Sequence, residues 1–306
     1  MDAQHKLPQL LGQLNTVIVG KEAQVQDCLA CLLAGGHLLI DDVPGVGKTT
    51  LAHALARTLG LQFSRVQFTS DLMPSDLSGV SVYERSQEAF VFHPGPIFAQ
   101  VLLADEINRA SPKTQSALLE AMEEKQVSVE GQTRALPQPF FVIATQNPQD
   151  QVGTYALPES QLDRFLMRIS LGYPDRAAER ELLSGVDRRT MLAQLPSLLG
   201  PGELEQLQQQ VLQVHAAWPL LDYVQDLVAA TRSGQWFLQG LSPRAGIAVL
   251  RAAKAQALLS GRQYVAPDDV QAILPQTIAH RLVPTADATR GAVEQVRAML
   301  LAVPLP

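Results

Sequence analysis

The chain has 306 residues, enough for two domains of ordinary size and a substantial core. Hydrophobic residues make up 46% and charged residues 18%, a balance that excludes a disordered chain. The net charge of −6 supplies no overall field for nucleic acid, which disfavours a DNA partner without removing a local basic surface.

Met1–Gln13 is polar and mixed, without the charged start and apolar run of a secretory signal. No apolar stretch reaches the roughly 18–20 residues of a membrane helix, so a cytoplasmic protein is expected. In Ala23–Gly35, Val25, Cys28, Leu29, Leu32 and Leu33 repeat at helical spacing. Cys28 and Cys31 form a Cys-x-x-Cys pair, but a buried helix face accounts for them, and no second pair or His partner completes a zinc set.

Strand-like and helical runs then alternate, the pattern of an α/β fold with a parallel sheet flanked by helices. His37–Asp41, Leu61–Phe68, Val101–Asp105, Pro139–Thr145 and Met167–Leu171 read as strands. Thr49–Leu59 and Lys113–Glu124 read as helices. Val80–Glu84 with Ala89–His93, and Val127–Val129 with Gln132–Ala135, read as two added hairpins. Near Tyr173–Asp175 the character changes. Glu203–Ala217, Leu220–Arg232, Pro243–Ser260 and Pro267–Leu274 are expected helices, Pro243 standing at a helix start where its missing N–H does no harm. The expected domains are residues 1–174, an α/β core, and residues 175–306, a helical unit.

The chemistry concentrates at Asp42-Val43-Pro44-Gly45-Val46-Gly47-Lys48-Thr49-Thr50, where a strand ends, a glycine-rich loop follows and a helix begins. Backbone N–H groups of such a loop and helix start point into one concavity and hold phosphate oxygens of a nucleotide. Gly45 and Gly47 allow close backbone approach. Lys48 brings a positive charge to the β- and γ-phosphates, and Thr49 offers its hydroxyl to Mg²⁺. The usual pattern begins with glycine where this chain has Asp42.

Val101–Asp105 is an apolar strand ending in two acids, Asp105 and Glu106. In a parallel sheet the strand C-termini share one edge with the phosphate loop. Asp105 is then placed to hold Mg²⁺ and Glu106 to orient and deprotonate an attacking water. The competing reading is a capping pair for the helix after Ile107. Asn147 ends a further strand on the same edge, placed to meet a γ-phosphate or the water. A GTPase would carry an Asn-Lys-x-Asp base reader, and the chain has none.

Leu103-Ala104-Asp105-Glu106-Ile107-Asn108-Arg109-Ala110, with Lys113–Met122, resembles the signature of the MoxR family of AAA+ ATPases. So do Ala144-Thr145-Gln146-Asn147-Pro148, Leu157-Pro158-Glu159 and Gln161-Leu162-Asp163-Arg164-Phe165. The likeness runs from about Val17 to at least Lys254. It implies an AAA+ P-loop NTPase core with a small all-α lid, ATP and Mg²⁺ as cofactors, and a homo-oligomeric ring, usually a hexamer, with ATP between subunits. By the same resemblance Arg164 matches the arginine finger that a neighbour inserts, with Arg168 as its substitute. Arg244 matches the second sensor contacting the nucleotide, and Val19 and Gly20 the segment against adenine. The bland reading of Arg164 is an ion pair with Asp163 or Glu159. The resemblance further implies chaperone-like remodelling of partners carrying von Willebrand factor A domains. Two alternatives are a nucleotide-gated scaffold with little turnover, against which Glu106 argues, and a DNA-acting motor, which the acidic balance disfavours.

Overall fold

The computed structural model describes residues 3–147, 153–185, 188–285 and 291–306. In chain order, α1 (Leu7–Val17) and α2 (Glu22–Leu33) precede β1 (Leu38–Asp41), α3 (Lys48–Thr58) and β2 (Phe63–Gln67). A single turn α4 (Pro74–Ser78) leads into the hairpin β3 (Gly79–Glu84) and β4 (Ala89–Pro94). Next come β5 (Val101–Asp105), α5 (Pro112–Glu124), the hairpin β6 (Gln126–Val129) and β7 (Gln132–Ala135), and β8 (Phe141–Gln146). The turn α6 (Glu159–Leu162) precedes β9 (Met167–Ile169). The remainder is helical: α7 (Arg176–Ser184), α8 (Arg188–Gln194), α9 (Glu203–Gln213), α10 (Trp218–Thr231), α11 (Pro243–Leu259), α12 (Pro267–Ile278) and α13 (Ala292–Ala302).

Five strands form one parallel sheet in the order β2-β5-β8-β1-β9. Every residue of β5 is buried, as are the first five of β8, which is why both read as unbroken apolar runs rather than alternating ones. Alternate residues serve opposite layers. Leu38, Ile40, Val101, Leu103, Phe141 and Ile143 join the core under α1, α2, α3 and the C-terminal helices. Leu39, Leu102, Ala104, Val142 and Ala144 join a second core under α5. The two hairpins fold antiparallel in the expected registers.

Among the longer helices, α1, α7, α8 and α13 fall outside the expected helical spans. Met1–Gln13 reads as polar, yet α1 forms there and buries Leu7, Leu10, Leu14 and Val17. Leu7, Leu10, Leu14 and Val17 stand at i, i+3, i+7 and i+10, a narrow helical stripe diluted by the polar residues around it, with Gly12 on the exposed face. α13 closes the chain with only Val296 and Met299 buried. Cys28 and Cys31 are fully buried on α2 as free thiols, and burial raises both above the usual thiol range, as their helix-face reading requires.

Candidate nucleotide-binding site

The loop after β1 is shaped by backbone conformation. Gly45 and Gly47 take φ of 85° and 96°, the left-handed region that L side chains rarely adopt. A Cβ built on either would meet nothing within 4 Å, so within this chain it is the conformation that demands glycine. α3 begins directly after Gly47 with no side chain capping it. Its first intrahelical bond runs from the Leu51 N–H to the Gly47 carbonyl, 2.9 Å. The N–H groups of Lys48, Thr49 and Thr50 therefore have no acceptor within the helix, the arrangement that binds anions.

Asp42, at the usual glycine position, has a structural task. Its side chain is buried, with Oδ1 accepting from the Val43 N–H at 2.9 Å. Oδ2 accepts from the Gly172 N–H at 2.6 Å and the Ser170 hydroxyl at 3.2 Å. The carboxylate thus ties the start of the loop to the chain leaving β9. The loop backbone accepts too: Lys48 Nζ donates to the Asp42 carbonyl at 2.7 Å. Burial lowers the Lys48 pKa, while the charges of Asp105, Asp42 and Glu106 oppose that shift. β1 and β5 both pair in parallel with β8, so the loop after β1 and the end of β5 lie on the same edge of the sheet.

At the end of β5, Asp105 is buried and held through both oxygens. Oδ1 accepts from the Thr145 hydroxyl at 2.6 Å, and Oδ2 from Arg65 Nη2 at 2.7 Å and Nε at 3.2 Å. Glu106 turns out of the strand with φ of 55°, an unusual conformation for a non-glycine residue that costs on the order of 1–3 kcal/mol. Its N–H donates to the Thr145 hydroxyl at 2.9 Å, and its Oε2 accepts from Arg109 at 2.9 Å. The 3₁₀ turn Ile107–Arg109 receives no side-chain cap from Glu106, so the capping-pair reading of the two acids fails. Asn147 is buried at the end of β8, on the same edge as Asp105, Glu106 and Lys48. Pro148 of the motif lies outside the described residues.

Val19 and Gly20 follow α1 and lie against the start of the helical half. Gly20 has φ of 68°, and a Cβ there would stand 2.8 Å from the Cβ of Ala178 on α7. Lys21 Nζ donates to the Tyr173 carbonyl at 2.8 Å. The segment expected to face adenine is therefore at the junction of core and helices.

The arginines separate. Arg168 donates to the carboxylate of Asp41, the last residue of β1, and is thereby pinned within its own chain. Arg164 lies at the opposite edge of the sheet, where the Leu166 N–H donates to the carbonyl of His37, which precedes β1. Its partner is Glu123 at 3.1 Å, neither Asp163 nor Glu159. Arg244, in the first turn of α11, bonds the same Glu123 at 3.2 Å. The structure thus brings Arg164 and Arg244 together and places neither beside Lys48 of the same chain. Thr145, Arg65 and Glu123 were not singled out from sequence. A threonine within the buried run of β8 was the one available signal.

Comparison with known proteins places the chain. The family model described as "ATPase family associated with various cellular activities (AAA)" matches residues 37–167, and that for the AAA lid domain matches residues 229–299. The uncharacterized protein YeaC of Bacillus subtilis is 45% identical, covering 100% of this chain and 98% of its own. Chaperone MoxR1 of Mycobacterium tuberculosis is 43% identical over 93% of this chain and 77% of its own. A crystal structure described as an ATPase from Cytophaga hutchinsonii superposes with a TM-score of 0.92 at 35% identity, covering 99% of this chain and 96% of that one.

Proposed function

The chain belongs to the MoxR family of AAA+ ATPases, and from that premise we propose that it hydrolyses ATP in a homo-oligomeric ring and uses the cycle to remodel partner proteins. The observation that carries the proposal is the convergence of Lys48, Asp105 and Glu106 at one sheet edge beside an uncapped helix start. The unpaired N–H groups and Lys48 bind the phosphates. Asp105 and the Thr49 hydroxyl offer hard oxygens of the kind Mg²⁺ takes, and the ion, when bound, offsets phosphate charge.

Glu106, turned out of the strand by its left-handed backbone, takes the proton from the attacking water, and Asn147 orients that water. Arg164 and Arg244, remote from their own phosphate loop, serve the nucleotide of a neighbouring copy. Such fingers are worth about 10³–10⁵ in rate in well-studied nucleotide hydrolases. A hexamer and a partner with a von Willebrand factor A domain are the family's pattern, and we extend both to this chain. No helix among the described residues is long and apolar enough to cross a membrane, and we take the site of action as the cytoplasm.

Phosphate release measured across protein concentration, for the native chain and for Glu106→Gln, tests the reading. The variant should bind ATP, turn over at least about a hundredfold more slowly, and hold its partner in a pull-down. Equal rates for the two proteins would leave a nucleotide-gated scaffold as the better description.

A further inference from the structure

The geometry points to Glu123 as the positioning residue that sets Arg164 and Arg244 into a single two-pronged receptor for the terminal phosphate of a nucleotide held by a second copy. The inference rests on the proposed role of those two arginines and goes beyond it by assigning what holds them. Glu123 lies in the last turn of α5 and uses one oxygen for each arginine. Oε2 meets Arg164 Nη2 at 3.1 Å, and Oε1 meets Arg244 Nη1 at 3.2 Å. The three residues come from three separate elements: α5, the turn before β9, and the first turn of α11.

Two guanidinium groups brought so near one another repel, and the carboxylate between them is what allows the approach. The neighbouring acid has other commitments. Asp163 pairs with Arg281, whose side chain is 6% exposed and which also donates to the Phe165 carbonyl at 2.9 Å. Asp163 stands 3.9 Å from Arg244 Nε, a longer contact than either made by Glu123. Three guanidiniums therefore share two carboxylates, and the surplus is positive. Two turns along α11, Arg251 lines the same cavity of about 300 Å³ and has no carboxylate partner among the described residues. In a chain of net charge −6, this local excess favours an anion of high charge. Both arginines keep exposed surface, 29% and 59% of their side chains, so an arriving phosphate can reach them. The bidentate habit of guanidinium toward phosphate oxygens suits that ligand.

The test is steady-state ATP turnover of the full-length protein at concentrations where rate per chain no longer rises. Glu123→Gln keeps the shape and loses the charge. It should lower kcat by about tenfold and leave KM for ATP within about twofold, because the phosphate loop lies at the other edge of the sheet. Glu123→Asp should recover part of the loss. In an Arg244→Ala background, Glu123→Gln should cost markedly less than in the native background, since partners in one network are not additive. A purely structural role would instead give the same fractional loss in both backgrounds, and that result overturns the inference. So does an unchanged or increased kcat for Glu123→Gln. Arg164→Ala separates the two levels. Full activity in that variant defeats the assignment of the finger and this inference with it. Loss of activity there, beside a silent Glu123→Gln, defeats this inference alone.

Discussion

At the residue scale the proposed catalytic edge is organised by a side chain with no part in the proposed chemistry. Thr145 is fully buried in β8, donates to Asp105 and accepts from the backbone of Glu106. One hydroxyl thereby fixes both acids from the adjacent strand. Thr145→Val keeps the volume and removes both bonds, leaving a buried N–H without a partner. The expected cost is about 1–3 kcal/mol in urea unfolding, together with reduced turnover because Glu106 loses its orientation. Unchanged stability and unchanged phosphate release would show that the two acids are positioned by the strand alone. Lys48, Asp105 and Glu106 were legible in the sequence because their meaning lies in local order: strand, loop, helix, then strand and two acids. Thr145, Arg65 and Glu123 were not, because each acts through partners between 39 and 121 positions away along the chain. Only folding makes them neighbours.

At the element scale the helix starts of the proposed site are capped unequally. α3 starts with bare N–H groups, whereas α5 and α11 start behind Ser111 and Ser242, whose hydroxyls accept from the N–H three residues on. Of these three, the helix expected to bind an anion is the one left open; α2, α9, α10 and α13 likewise start without a side-chain cap. Ser242→Ala should cost about 1 kcal/mol by thermal or chemical denaturation, and it should lower turnover beyond that because Arg244 lies in the first turn it anchors. A variant with native activity and reduced stability would confine Ser242 to a structural part. The sheet strands and both hairpins were readable from periodicity and turn chemistry. α1 was not, since its apolar stripe is narrow and set among polar residues, and its burial comes from packing against α2, α3 and α8.

For the whole molecule, stability is tied to pH through ionisable groups buried where the core meets the helices. Burial pushes His37 down to about 4 and His280 down to about 3, from an ordinary value near 6.5. The unfolded chain takes up protons at these two sites that the folded chain refuses. Stability therefore falls as pH drops from about 6.5 toward 4. Asp27 works oppositely. Desolvation between α2 and α12 raises it to about 7, with the Gln276 amide at 3.2 Å only partly offsetting the burial. The folded chain holds this proton where the unfolded one has released it, so this contribution declines as pH rises from about 4 to 7. Asp27→Asn should thus stabilise the protein at pH 8, by about 2–4 kcal/mol at most, and have little effect at pH 4. Urea titrations at the two pH values check this; an equal gain at both would show that the ionised form of Asp27 carries no penalty.

The arrangement of the parallel sheet gives the molecule a polarity. Under the proposed function the groups that would grip phosphate crown one rim and the paired guanidiniums of Arg164 and Arg244 the other, so copies that complete one another would meet head to tail rather than face to face. Damage to either rim is then curable by a copy damaged at the opposite one. On that assignment a Lys48→Ala protein should still lend its arginines, and an Arg164→Ala protein should still grip its nucleotide. Mixed in equal amounts, two preparations that are each inert should regain about a quarter of native turnover, since half of the chains grip and half of their neighbours can lend.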